Sequence, residues 1–312
     1  MSPIPLGILA SMAPDPGSIP EGAVFVATSG SNGGAGTAGD PWATIDYAVR
    51  QLSAGDTLVV RGGTYTERVI SPTINVGTVG SRITMRNYPG ERPIIKGLFW
   101  IVAPSYWDFD GINVTWDAAT GASTEHMTKV TGGTSWTWKN SEFWGAESFA
   151  CVLLAGTMYD WTFSYNYLHD TYESNGINQD HLLYCNCDGS GGIVERNIMV
   201  DSPNGRAIKV GPPSEFSSWV NDIEIRYNTM VSNWGPSNIQ VAWQSNDTNM
   251  HHNIMVDPDV NRNCVTAFAI SGTGNYVSDN MWWDALGVSD TGSAGLTVGP
   301  GNVEINPAFT GT

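Results

Sequence analysis

Phe163-Ser-Tyr-Asn166-Tyr-Leu168-His-Asp170 and Val194-Glu-Arg-Asn197-Ile-Met199-Val-Asp201 are two copies of one phrase, and its reading decides the fold. It returns as Ile225-Arg-Tyr-Asn228-Thr-Met230-Val-Ser232, Met250-His-His-Asn253-Ile-Met255-Val-Asp257 and Val277-Ser-Asp-Asn280-Met-Trp282-Trp-Asp284. Weaker copies carry Ser141 and Ile112 in the asparagine slot, and from 112 onward the slot recurs after 29, 25, 31, 31, 25 and 27 residues. A unit this short cannot enclose a core and must bury its apolar face against its neighbours. β-Branched, aromatic and Met residues alternate with polar ones, so each copy reads as strand–turn–strand. Asparagine is expected in the turn itself because it tolerates left-handed backbone. Stacked turns would set the amides about 4.8 Å apart, within reach of hydrogen bonds along the stack. The expected architecture is all-β, a single-stranded right-handed parallel β-helix, its hand following the chirality of parallel crossovers.

Composition agrees. Gly 36 and a charged fraction of 14% fit stacked strands with many tight turns, and 312 residues are enough for one large solenoid. The charge, 14 − 30 = −16, argues against nucleic acid as a partner and disfavours a polyanionic glycan unless a cation intervenes. Cys151, Cys185, Cys187 and Cys264 show no disulfide spacing and are expected as small buried hydrophobes. No apolar run reaches the length of a membrane span, and Met1–Ala10 lacks the basic start of a secretory signal.

Two units are expected. Residues 1–22 hold five prolines yet also Ile4, Leu6, Ile8 and Leu9, which suits an extended arm that docks on a partner rather than a solvated tail. Residues 23–312 form the solenoid, with a capping helix over 41–53 that has Asp40 as its N-cap and an apolar stripe at 42, 45, 48, 49 and 52. Seven further strands follow the phrases, the last at Leu296–Val298.

The alternating phrase with its asparagine ladder resembles the right-handed β-helix superfamily of pectate lyases and phage tailspikes, over residues 24–309. The run from Pro41-Trp-Ala-Thr-Ile-Asp to Arg92-Pro-Ile-Ile-Lys-Gly97 is similar to the N-terminal coils of bacterial and phage β-helix proteins, carbohydrate-active ones among them. Pro5-Leu6-Gly7-Ile8-Leu9-Ala10 resembles a leader of tailed-phage tail proteins. The resemblance implies fold first, and for the leader a place on a virion.

Chemistry should sit on connections that leave one corner of successive coils. Gly145–Ser148 is short between longer neighbours and predicts a valley floored by Trp144 and Glu147 and walled by Trp116, His126, His169, Asp170, Tyr172 and Glu173. Aromatic rings and carboxylates together suit the apolar faces and hydroxyls of sugars. Hydrolysis needs a carboxylate pair, which Asp170, Glu173, Asp180 and Asp201 could supply beside His181. β-Elimination needs a base, and Lys209 is the candidate, on a strand pattern met in β-helix lyases. Asp257, Asp259 and Asn261 alternate oxygens like a calcium loop, but Arg262 and Phe268 stand where that pattern needs glycine and glutamate. No cofactor is expected, with calcium there the one alternative. His251 and His252, adjacent on a strand, should point to opposite faces.

Three readings follow. The first is a trimeric, tailspike-like phage tail component that binds a bacterial surface glycan and docks on other virion tail subunits through residues 1–20, without membrane insertion. The alternative is a polysaccharide-degrading lyase or glycoside hydrolase, secreted or virion-borne. The third is a purely structural tail subunit.

Overall fold

A computed structural model describes residues 17–71, 73–119, 126–172, 180–214, 217–258, 262–291 and 295–309. The chain winds into a parallel β-solenoid of about eight turns. Among the described residues its strands form three sheets of eleven, ten and nine members, and every named pairing is parallel. One coil contributes one strand to each sheet. The coil around Asn197, for example, runs Gly192–Glu195, Ile198–Ser202 and Ile208–Val210.

Register places each position of the phrase in its own column. The opening residues stack as Phe109, Trp138, Phe163, Val194, Ile225, Met250 and Val277. Two positions after the slot, Val114, Phe143, Leu168, Met199, Met230 and Met255 do the same. Both columns are fully buried. Phe109 and Trp138 lie ring on ring at 4.6 Å, so the core is a pile of like side chains along the axis.

The slot between these columns is a hydrogen-bonded ladder. Asn166 N–H donates to Asn197 Oδ1 at 2.9 Å. Asn197 and Asn228 each donate both N–H and Nδ2 to the next Oδ1, at 3.0 Å, and Asn253 does so to Asn280. Each Nδ2 also donates back to a carbonyl of the previous coil: Trp138, Phe163, Val194, Ile225 and Met250 in turn. Ser141 takes the same place, its Oγ accepting from Ile112 N–H. Asn302, which no phrase announced, extends the ladder beyond Asn280.

The left-handed backbone does not fall on the asparagines. It falls one residue earlier, on Asn140, Tyr165, Arg196, Tyr227, His252 and Asp279, with φ of 54–56°. That kink turns the following amide inward, where it meets the ladder. The same kink corrects the expectation for the paired histidines: His251 and His252 are not on opposite faces but meet at 2.7 Å between their Nδ1 atoms.

Two further differences concern elements. The helix spans Ile45–Gln51 and its N-cap is Thr44, whose hydroxyl accepts from Tyr47 N–H. Asp40 instead accepts from Ala35 N–H, while Trp42 bridges in parallel to Val26 as extended chain. Ile45, Ala48 and Val49 enter the core. Leu296–Val298 belongs to the first sheet, pairing with Asn275–Val277. The third-sheet strand of that coil is Val288–Thr291. Residues 1–16 of the expected arm lie outside the described residues.

Candidate active site

The third sheet is buried on both faces over part of its length, which is unusual for one wall of a solenoid. Its inner face joins the main core, while Ala150, Leu153 and Tyr184 form a separate apolar cluster on the outside. Register continues the outer column through Trp100, Lys129, Leu153, Tyr184, Lys209, Gln240 and Thr266. Lys129 Nζ lies 4.4 Å from the centre of the Trp100 ring and Lys209 Nζ 4.7 Å from that of Tyr184. Such contacts hold the aliphatic stems flat against aromatic faces.

Burial and like charge shape this column. Desolvation, with Arg206 beside it, lowers the Lys209 amine to about 8. Burial takes Arg206 down to about 10. His181, fully buried, is held well below the usual imidazole range by desolvation and then by Arg206, Lys209 and His126. The His181 Nδ1 accepts the Arg206 backbone N–H at 3.3 Å, so that nitrogen carries no proton. His126 falls to about 4 through burial and Lys129, and its ring tilts on Phe149 at 5.6 Å. The Tyr184 hydroxyl is buried without a hydrogen-bond partner, and burial raises its pKa. In a chain of charge −16, three cations and two neutral imidazoles therefore gather on one face.

The expected valley is built differently. Trp144 lies parallel to His169, ring centres 6.2 Å apart, and the Arg92 guanidinium lies over its ring at 5.0 Å. His169 stacks on Tyr167 at 4.2 Å and is held by Glu142 (3.0 Å) and Asp170 (2.7 Å). Arg92 pairs with Glu142. Trp116 packs against the core with its indole nitrogen buried. Glu147 stays exposed. Asp180 is buried at the start of its strand, where its carbonyl accepts from Thr171 and Ser202. These contacts tie Trp144, His169, Glu142 and Arg92 into one cluster on this wall. Glu173, Asp259 and Asn261 lie outside the described residues.

Asp170 and Tyr172 do line an opening, but one and two coils further on, with Asp201, Pro203, Ser232 and Trp234. A signal for it existed. Tyr172, Pro203 and Trp234 stand six residues after Asn166, Asn197 and Asn228, and Asp170, Asp201 and Ser232 stand four after. Burial and the neighbouring Asp170 raise the Asp201 carboxyl.

All four cysteines are free and buried, and desolvation pushes the Cys187 thiol up to about 12. Among the described residues no group of three or more His, Cys, Asp or Glu side chains is placed to hold a metal, and no helix is long and apolar enough to cross a membrane.

With this geometry in hand, the likenesses are informative. The family model of the Pel9A-like, right handed beta helix region matches residues 24–189. Pectate lyase PEL9 of Emericella nidulans is 40% identical over 79 residues, 24% of this chain and 18% of that one. The uncharacterized protein YwoF of Bacillus subtilis is 38% identical over 77 residues, 24% of this chain and 15% of that one. Either match thus takes in less than a fifth of the relative. The crystal structure of pectate lyase Pel9A superposes with a TM-score of 0.61 at 13% identity, over 91% of this chain and 78% of that one. XylC in complex with xylose gives 0.56 at 12%, over 86% and 69%. These two likenesses are of fold, and nothing among the comparisons points to a phage tail.

Proposed function

The chain belongs to the Pel9A-like right-handed β-helix family, and on that premise we propose that it degrades an acidic polysaccharide by β-elimination, with Lys209 as the base. The carrying observation is the Lys209 amine, fixed on the outer face of the third sheet against Tyr184 and lowered to about 8 by burial and Arg206. A lysine of ordinary pKa is almost wholly ammonium near neutrality and has no lone pair to accept a proton; one near 8 keeps a usable fraction as neutral amine. Lys209 Nζ takes the proton from the carbon beside the uronate carboxyl. That electron pair forms a carbon–carbon double bond, the glycosidic carbon–oxygen bond breaks, and the leaving oxygen takes a proton from solvent. The local cations answer the objection from net charge: at Lys209 an anionic sugar meets a potential set by Lys129 and the buried Arg206 rather than by the chain average. Arg206 is buried and acts on Lys209, as a positioning charge.

The names of the relatives support trying pectate first. Incubation with pectate and alginate should release oligomers bearing the ultraviolet absorbance of an unsaturated uronate. New reducing ends without that absorbance would instead favour hydrolysis, for which Asp170 and Asp201, neighbours with one carboxyl raised, are the pair to test. The helix Ile45–Gln51, with Ile45, Ala48 and Val49 against the core, closes the N-terminal end of the stack in this reading.

A further inference from the structure

The cleft lined by Asp170, Tyr172, Asp201, Pro203, Ser232 and Trp234 is open to solvent and takes no part in the elimination chemistry. It lies where the chain leaves the second sheet, ahead of the strand Ile208–Val210 that carries Lys209. Three successive coils build it. Asp170, Asp201 and Ser232 all have left-handed backbone, and Tyr172, Pro203 and Trp234 follow two residues later in each. Backbone bonds tie the coils together there: Thr171 N–H to the Asp201 carbonyl, and Trp234 N–H to the Ser202 carbonyl. Parallel strands repeat at about 4.8 Å, so Tyr172 and Trp234 stand about 10 Å apart with proline between them.

Neither ring belongs to a core cluster. Tyr172 is 55% exposed and Trp234 52% exposed, whereas eight of the largest fully buried side chains are aromatic. The fold thus has room for aromatic side chains inside and keeps these two outside. Asp170 is fixed in place, Oδ2 bonded to His169 at 2.7 Å and Oδ1 accepting from the Tyr172 hydroxyl at 3.3 Å. Asp201 accepts no hydrogen bond from a described side chain and lines the same space.

We infer that this cleft is a second glycan site, seating one non-acidic pyranose residue, neutral or amino, against the Tyr172–Pro203–Trp234 edge. A pyranose offers an apolar face to the rings and hydroxyls or an ammonium to the carboxylates. Two carboxylates lining one cleft repel a uronate. The favoured polysaccharide therefore carries a neutral or amino sugar beside the acidic unit cut at Lys209. Only that last step rests on the elimination reading.

The test is titration calorimetry of the full chain with three probes: a β-1,4-glucosamine tetramer, xylotetraose and a galacturonate tetramer, the last with and without calcium chloride. The glucosamine or xylose tetramer should bind. Trp234→Ala and Tyr172→Ala, both exposed and so expected to melt like the parent, should each weaken that binding by about tenfold or more. Lys209→Ala should bind as the parent does, so a failed lyase assay leaves this result standing. Four outcomes would overturn the inference: binding of the galacturonate tetramer alone, unchanged binding in both folded ring variants, equal loss in Lys209→Ala, or no binding by any probe.

Discussion

The two corners that bracket the second sheet use the same backbone device for opposite ends. At the first, Asn140, Tyr165, Arg196, Tyr227, His252 and Asp279 are left-handed; at the second, Asp170, Asp201, Ser232, Asp257 and Asp284 are, with φ of 47–59°. The first corner turns an amide inward and bonds it to the coils on both sides. The second releases the chain into connections of unequal length and sets the carboxylates of Asp170 and Asp201 on a cleft. A repeated turn whose polar groups are all satisfied is a structural element, because a buried amide costs free energy unless it is bonded. A repeated turn whose side chains line a cleft, as Asp170, Asp201 and Ser232 do, is a place where a ligand can be held. The third sheet then adds what neither corner has, a buried cationic column.

If function lies outside the ladder, the largest effect should come from that column. Lys209→Ala should lower kcat by about 10²–10⁴-fold while leaving the melting temperature near that of the parent. The sign of the pH dependence follows from the lowered amine. The neutral base is the active form, so kcat/KM should climb as pH rises through about 8 and level off above it. A flat profile across that range would remove Lys209 from the role.

The next effect belongs to the first corner and should appear in stability alone. Asn228 is fully buried, with donors and acceptor engaged on both sides. Asn228→Leu strands the Asn197 donors and should cost about 1–3 kcal/mol in denaturant unfolding. Asn302→Leu, at a part-buried rung, should cost less. Equal costs would mean that the ladder is not cooperative in the way its geometry suggests.

The first corner was readable from sequence and the second was not, for physical reasons. The ladder imposes one residue type at one slot, so Asn166 through Asn280 announced it, and apolar neighbours fixed the register. The left-handed position resisted reading because Tyr165, Arg196 and Tyr227 have no preference for it; the stack overrides propensity there. Asn302 was hidden because Gly299-Pro-Gly-Asn302 lacks the apolar opening of the phrase. At the second corner, loop length pointed to Trp144, whose ring contacts Arg92 and His169. The opening instead follows from side chains at a fixed offset, Tyr172, Pro203 and Trp234, in coils whose loops differ. Lys209 was visible as a base candidate, whereas its tuning by desolvation and Arg206 depends on burial that sequence does not display.

The smallest effect tests whether the second corner carries uncompensated charge. The Asp201 carboxyl is raised by desolvation and then by Asp170, so its ionised form is less favourable in the folded chain than in the unfolded one. The penalty is therefore full at neutral pH and disappears as pH falls below the ordinary aspartate range. Asp201→Asn removes the charge with little change of shape, and asparagine accepts the left-handed backbone at this position. The group is only half-buried and solvent still screens it, so the gain should be no more than a few tenths of a kcal/mol, about the size of a surface pair. Urea unfolding should show Asp201→Asn slightly more stable than the parent at neutral pH and equal to it in acid. Salt should shrink the difference. A variant less stable at neutral pH would mean that Asp201 already makes a favourable contact, and the second corner would then be closed like the first.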